Sequence, residues 1–174
     1  MGQPLGETEA GHSSQFAWRM VETDCVLPSA KWKQQQSKHH TQIDFQTGRG
    51  TKILIAKPLD PAFVITELQP QLQIKSNRPG AQIIVRVVLP QSKSSRGTPL
   101  TTHLAGPTYT NTPNAQTLGF SKGEILELLR KRLWLLRHEH GPEVNIQNAY
   151  VDQVLLNVYS GPGATGLELS LIHI

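Results

Sequence analysis

Residues 71–90 read QLQIKSNRPGAQIIVRVVLP. Leu72 and Ile74 alternate with Gln71, Gln73 and Lys75, the period-two pattern of a strand with one face on a core. The segment SNRPG, residues 76–80, is a turn, with Pro79 and Gly80 placed for it. AQIIVRVVL, residues 81–89, follows as a long β-branched run. It is apolar on both faces except at Gln82 and Arg86, which predicts a central strand covered on both sides. Pro90 is expected to end it.

The same reading extends upstream. FAWRMVETDCVL (16–27) alternates in part, with Phe16, Trp18 and Met20 on one side and Arg19 and Glu22 among the others, and is read as a first strand. SAKWKQQQSKHH (29–40) is a polar connector. TQIDFQTG (41–48) is a second strand with Ile43 and Phe45 on one face. Gly48 and Gly50 then make a turn into a strand over Ile53, Leu54 and Ile55.

Downstream, QSKSSRGTPLTTHLAG (91–106) reads as a loop and PTYTNTPNAQTLGF (107–120) as a short hairpin-like stretch. One helix is expected at about 121–140. Ser121 and Glu124 form an S-x-x-E capping box, and Ile125, Leu128, Leu129, Leu133 and Leu136 fall on one stripe at helical spacing. Gly141-Pro142 stops it. NAYVDQVLLNVYSGPG (148–163) is a further strand. Strict alternation puts Tyr150, Asp152 and Val154 on one face and Val151, Gln153, Leu155, Asn157 and Tyr159 on the other. Seven or eight short strands with turns and one helix predict a mostly-β fold, a β-sandwich. A parallel α/β fold would need helices between most strands.

The chain has 174 residues, enough for one domain with a sizeable core. Only 17% of residues are charged, and Gln, Thr, Ser, Asn, Gly and Pro are plentiful, the composition of short strands and turns rather than of a disordered polyelectrolyte. A formal charge of +4 with short clusters near Lys31 and Arg130 gives little support to a nucleic-acid surface. The single cysteine, Cys25, excludes an internal disulfide framework and a cysteine metal cluster. No apolar run approaches the roughly 18 residues of a membrane-spanning helix. Residues 1–15 are polar and Gly-rich, expected to be a flexible tail, and lack the basic flank and apolar core of a signal peptide.

Candidate chemistry is sparse. His39 and His40 are adjacent and would point to opposite faces of a strand. His138 and His140 sit near a helix C-terminus, where the dipole favours histidine without any catalytic role. No H-E-x-x-H, G-x-S-x-G or phosphate-cradling glycine motif is present. Glu22, Asp24, Asp44, Glu67 and Asp152 are available as acids, but nothing pairs two of them as a glycosidase requires. Asp152 could join Glu22 or Asp24 around a structural calcium, since carboxylates are hard oxygen donors; the alternative is a hydrogen-bonded structural aspartate. For a glycan, Arg86, Asn157 and Tyr159 could line one surface with Tyr109 from a loop, offering planar polar and aromatic groups to sugar hydroxyls and C–H faces. Against this, Arg86 could be an internal ion pair, with Glu67 as partner, while Tyr159 packs. Trp134 is expected in the core or at a domain interface.

TELQPQLQIKSNRPGAQIIVRVVLP (66–90), GTPLTTHLAGPTY (97–109) and AYVDQVLLNVYSGPG (149–163) resemble an amino-terminal domain of large planctomycete-type bacterial proteins, in which a jelly-roll domain precedes a glycosidase-like barrel. The resemblance covers residues 16–168. It implies a jelly-roll β-sandwich similar to the galactose-binding-like sandwiches used as carbohydrate-binding modules. It further implies a non-catalytic accessory domain of an extracytoplasmic carbohydrate-active protein, which binds a polysaccharide weakly or positions the downstream barrel. A purely structural interdomain module without a ligand is the alternative, and an enzyme in its own right ranks last. The family pattern continues after GPG into an acidic closing strand, which ATGLEL begins. LSLIHI (169–174) then resembles the translated end of a sequencing-library adapter. Those six residues are therefore expected to be non-native, and the 16–168 domain to be cut at its C-terminal side.

Overall fold

The computed structural model describes residues 17–25, 33–37 and 40–174, with the backbone alone for 171–173. The tail expected at 1–15, and Phe16, Lys31 and His39, lie outside the described residues. Ten strands and one helix follow in the order β1 (Arg19–Thr23), β2 (Lys33–Gln36), β3 (Thr41–Thr47), β4 (Ile53–Phe63), β5 (Gln71–Ser76), β6 (Gln82–Lys93), β7 (Pro99–Thr108), β8 (Gln116–Gly119), α1 (Glu124–His140), β9 (Tyr150–Asn157) and β10 (Gly163–His173). They make two five-stranded sheets, β1-β4-β9-β6-β7 and β2-β3-β10-β5-β8. Every pairing is antiparallel. The fold is thus mostly β, a sandwich with one helix among the described residues. Below, the first sheet is the Arg86 sheet and the second the Gly166 sheet.

The core lies between the sheets and follows from the alternation. Ile83, Val85, Val87 and Leu89 of β6 point inward and are fully buried, as are Leu72 and Ile74 of β5 and Ile43 of β3. The β5–β6 turn holds Gly80 at φ 111°, a conformation glycine adopts without the Cβ penalty. β6 is an interior strand, paired to β9 on one side and β7 on the other. Pro90 does not end it. The register instead shifts between Leu89 and Lys93, so the residue without an N–H falls in an irregularity of the ladder.

Two expectations at the edges are corrected. The loop expected at 91–106 contains most of β7. Leu100, Thr102 and Leu104 are buried and alternate with exposed Thr101, His103 and Ala105. Threonine, histidine, glycine and proline had hidden a strand whose outer face is polar. The connector at 29–40 contains β2, whose KQQQ carries no apolar residue and pairs only to β3. Backbone pairing alone makes such an edge strand, and no hydrophobic period marks it.

α1 joins β8 of one sheet to β9 of the other. Ile125, Leu129 and Leu136 are buried, with Leu128 and Leu133 packed against the core. The Glu124 carboxylate accepts the Ser121 N–H at 2.7 Å and the Ser121 hydroxyl at 2.8 Å, which is the return half of the expected capping box. The helix ends at His140, where the Gly141 N–H donates to the Arg137 carbonyl at 3.0 Å. Trp134 is not in the core: it is 74% exposed.

β9 breaks strict alternation. Arg86 pairs with Gln153 but Val87 pairs with Val151, so Asp152 is an extra residue in a β-bulge. The phase therefore changes, and Val151, Val154, Leu156 and Val158 all reach the core. β10 lies at the centre of the Gly166 sheet and runs through the LSLIHI segment, with Leu169 opposite Ile74 and Ser170 opposite Gln73.

Candidate functional site

The outer face of the Gly166 sheet is polar because each buried residue of β3 and β5, and of β10 up to Leu169, is followed by an outward polar or small one. Register places these side chains in rows. Lys33 of β2 stands opposite Asp44 of β3, and Asp44 opposite Gly166 of β10. The Gly166 N–H donates to the Asn77 side-chain oxygen at 2.9 Å, which carries the row to the end of β5. In the next row Gln42, Glu168 and Lys75 are opposite one another on β3, β10 and β5. Ser170, Gln73 and Thr117 form a third.

A cleft of about 650 Å³ opens over the first two rows, with Ala164 and Gly166 among its lining residues. A Cβ at Gly166 would stand 2.9 Å from an Asp44 carboxylate oxygen, so glycine keeps the floor low and the acid beside it in place. Gln42 donates to Asp44 at 3.1 Å. The Lys75 ammonium and a Glu168 oxygen are 3.8 Å apart with each side chain about half exposed, too long for a hydrogen bond. Amide, carboxylate and ammonium groups therefore face solvent over a small-residue floor. This donor and acceptor set suits sugar hydroxyls. Among the described lining residues the one aromatic is Phe45, which is buried, so no exposed ring offers a stacking surface.

The residues singled out from the sequence lie elsewhere and do not form one surface. Arg86 projects from the outer face of the other sheet. Its Nε donates to Asp152 Oδ1 at 2.8 Å and its Nη2 to Oδ2 at 2.5 Å, a two-pronged pair made by the β9 bulge. This is the ion-pair reading, but the partner is Asp152 and not Glu67, which is exposed in the turn after β4. Hydrogen bonding to Asp152 raises the guanidinium pKa against the opposing effect of burial. His103 is opposite Arg86 across the β6–β7 ladder. Burial and then the Arg86 charge push its imidazole below the ordinary histidine range, partly offset by Glu22 and Asp152.

Tyr109 is corrected from ligand group to structural brace, because it is fully buried. Its hydroxyl accepts the Ser76 N–H at 3.2 Å and donates to the Asn114 carbonyl at 2.7 Å, while its backbone N–H donates to Ala81 at 2.7 Å. It ties the end of β5 to the start of β6. Asn157 turns its side-chain oxygen to the N–H groups of Ile53 and Tyr159, at 3.1 and 3.2 Å. The half-buried Tyr159 donates its hydroxyl to the Gly48 carbonyl at 3.4 Å.

Glu22, Asp24 and Asp152 are likewise engaged separately. Glu22 pairs with Lys52. Asp24 accepts the Thr51 N–H and Lys52 N–H, each at 2.9 Å, and the Thr51 hydroxyl. That hydroxyl and the two amides hold its carboxyl far below the usual carboxylate range. Asp152 belongs to Arg86. Among the described residues no three histidine, cysteine or acidic side chains converge as a metal site, which corrects the calcium set. His40 bonds the Ser37 hydroxyl at 2.9 Å, and His138 stacks on Trp134 with ring centroids 6.1 Å apart.

No protein-family model matches the chain, and no curated protein matches it. Several solved structures are similar in shape. The family 30 carbohydrate-binding module of the cellulosomal cellulase Cel9D-Cel44B of Clostridium thermocellum aligns at 10% identity and a TM-score of 0.45, over 90% of this chain and 91% of that one. A variant of the family 29 module CBM29-2 aligns at 9% identity and a TM-score of 0.42, over 91% of each chain. TmCBM61, solved with β-1,4-galactotriose, aligns at 9% identity and a TM-score of 0.36, over 90% of this chain and 88% of that one. With similarity this low, nothing about a ligand of the present chain follows from them.

Proposed function

We propose that this chain is a non-catalytic, glycan-binding accessory domain of a carbohydrate-active protein, and that it holds a neutral polysaccharide weakly in the cleft of the Gly166 sheet. The observation that carries the reading is the cleft itself: a low floor at Ala164 and Gly166 ringed by Lys33, Asp44, Lys75, Asn77 and Glu168. Each hydrogen bond there replaces one to water and nets about 0.5–1.5 kcal/mol. The described lining offers no exposed ring, so these hydrogen bonds carry the binding, and it is weak. Asp44 and Glu168 are both exposed and stand in different rows of the sheet. Positioning of a downstream glycosidase-like barrel, on an extracytoplasmic protein, belongs to the same proposal and rests on the sequence resemblance.

Affinity electrophoresis against soluble glucomannan, xyloglucan and galactan tests it. The wild type should be retarded by at least one of these. Asp44→Ala and Lys75→Ala should lose the retardation while melting as the wild type does. A folded wild type that none of them retards contradicts the glycan reading.

The structural interdomain module is favoured by a different observation. Phe63 is 63% exposed and Ile65 53% exposed, and Phe63 lines a shallow apolar recess with Pro61, Pro90 and Tyr150. Exposed apolar surface of this kind suits the docking of a neighbouring domain. If glycan retardation is absent, Phe63→Ser should instead weaken association with the neighbouring domain that this reading posits.

A further inference from the structure

The RKR cluster and Trp134 have no part in the cleft proposed above, and the structure brings them together. Lys131, Trp134, Leu135 and His138 are spaced i, i+3, i+4 and i+7, so they occupy one face of α1. Trp134 is 74% exposed, and its ring lies almost parallel to that of His138, 6° from coplanar, with centroids 6.1 Å apart. An indole left in water on the solvent side of a helix does nothing for the core, because Ile125, Leu129 and Leu136 already fill that role. Between this helix face and the β7 edge of the Arg86 sheet lies a groove of about 510 Å³. Its lining includes His103, Ala105, Leu128, Lys131, Arg132 and Trp134. Among its described lining residues Lys131 and Arg132 are cationic side chains, His103 adds an imidazole, and none is acidic. The Arg132 Nε donates to the Thr102 hydroxyl at 3.3 Å, which anchors the guanidinium against β7.

We infer that this groove is a second ligand site, which takes an acidic sugar: a uronate residue whose C–H face lies on the Trp134 indole while its carboxylate meets Lys131 and Arg132. The ring supplies a flat apolar surface that the described lining of the Gly166-sheet cleft does not offer. The guanidinium and ammonium supply charge-assisted hydrogen bonds to a carboxylate. A single-stranded nucleic acid also combines charge with stacking, but it needs a cationic track and a series of rings. Here one exposed tryptophan is flanked along the helix by Glu127 and Glu139, so the positive surface is short and matches one anionic residue. The site does not depend on the neutral-glycan reading, because the two share no residue.

Titration of the full chain with trigalacturonate, followed by tryptophan fluorescence and calorimetry, tests the inference. The wild type should bind, and raising salt should weaken binding. Trp134→Ala should lower affinity about tenfold or more, the usual weight of a tryptophan anchor, and Lys131→Gln should lower it and flatten the salt dependence. Because Trp134 is exposed, thermal melts of Trp134→Ala should match the wild type. Lys75→Ala should bind trigalacturonate normally, which separates this site from the cleft. No binding by the folded wild type, or binding that Trp134→Ala leaves intact, overturns the inference. Displacement of trigalacturonate by an equimolar oligothymidylate would overturn it as well, in favour of a nucleic-acid surface.

Discussion

The two outer faces of the sandwich carry similar polar residues and treat them differently. On the Arg86 sheet, the charge in mid-strand is closed on itself: both prongs of Arg86 are taken by Asp152. On the Gly166 sheet, Lys75 and Glu168 stand 3.8 Å apart, half exposed, over a floor without side-chain bulk. A lone charge in an apolar strand draws the eye in a sequence, yet here it is structural. A row of ordinary exposed glutamines, lysines and acids instead leaves its hydrogen-bonding groups open to solvent. The difference is whether the protein itself satisfies the hydrogen-bonding groups.

Substitutions on the two faces should therefore separate stability from binding. Tyr109→Ala should have the largest effect. It removes a fully buried ring and the hydroxyl that braces Ser76, and should cost about 4 kcal/mol by chemical denaturation. Survival of the variant with near-wild-type stability would return Tyr109 to the candidate surface residues.

Arg86→Met should cost about 2 kcal/mol, between the values for exposed and buried pairs, since the two side chains are 33% and 20% exposed. The double variant Arg86→Met with Asp152→Leu should regain most of that loss, because no unpaired charge is left. Glycan retardation should be unchanged in both. A loss of retardation with stability intact would move the binding site to the Arg86 sheet.

The acid limb gives a smaller signal. The folded state holds the Asp24 carboxyl below its unfolded value, so its contribution is present at neutral pH and is lost as pH falls below about 4. Asp24→Asn should flatten stability against pH in that range, as read by denaturant midpoints from pH 6 to pH 2. An unchanged acid limb would show that other carboxylates govern it. Smallest of all, Asp44→Ala and Lys75→Ala should shift stability by less than about 0.5 kcal/mol, since both residues are exposed. A larger loss would mean the cleft is a structural network like that around Arg86.

The centre of the fold was legible because its alternation is strong. Leu72 and Ile74 have the faces the sequence pattern predicts, and so does the helical stripe of Ile125, Leu129 and Leu136. The run Ile83–Leu89 is the interior strand expected, but Gln82, Ile84 and Arg86 on its outer face are only half-buried, so it is not covered on both sides. The edges were not legible. β2 has no apolar residue, and β7 carries threonine, histidine and proline on its outer face. Period-two reasoning also failed at Asp152, where one inserted residue changed the phase of β9 and supplied the partner of Arg86. That partner is 66 positions away in the chain, so local spacing cannot reveal it. The cleft was half legible. The outward positions Gln73 and Lys75 followed from alternation, but register across β3, β10 and β5 decides that Asp44, Gly166 and Asn77 share one row.

On the proposed reading, the Gly166 sheet binds a neutral glycan and the Arg86 sheet does not. Backbone amide shifts, followed by two-dimensional NMR as the retarding polysaccharide's oligosaccharide is added, test it most directly. Perturbations should cluster at residues 42–46, 75–77 and 164–168, with Arg86, His103 and Gln153 unmoved. Perturbations centred on Arg86, His103 and Gln153, with Gly166 and Asn77 silent, would contradict it.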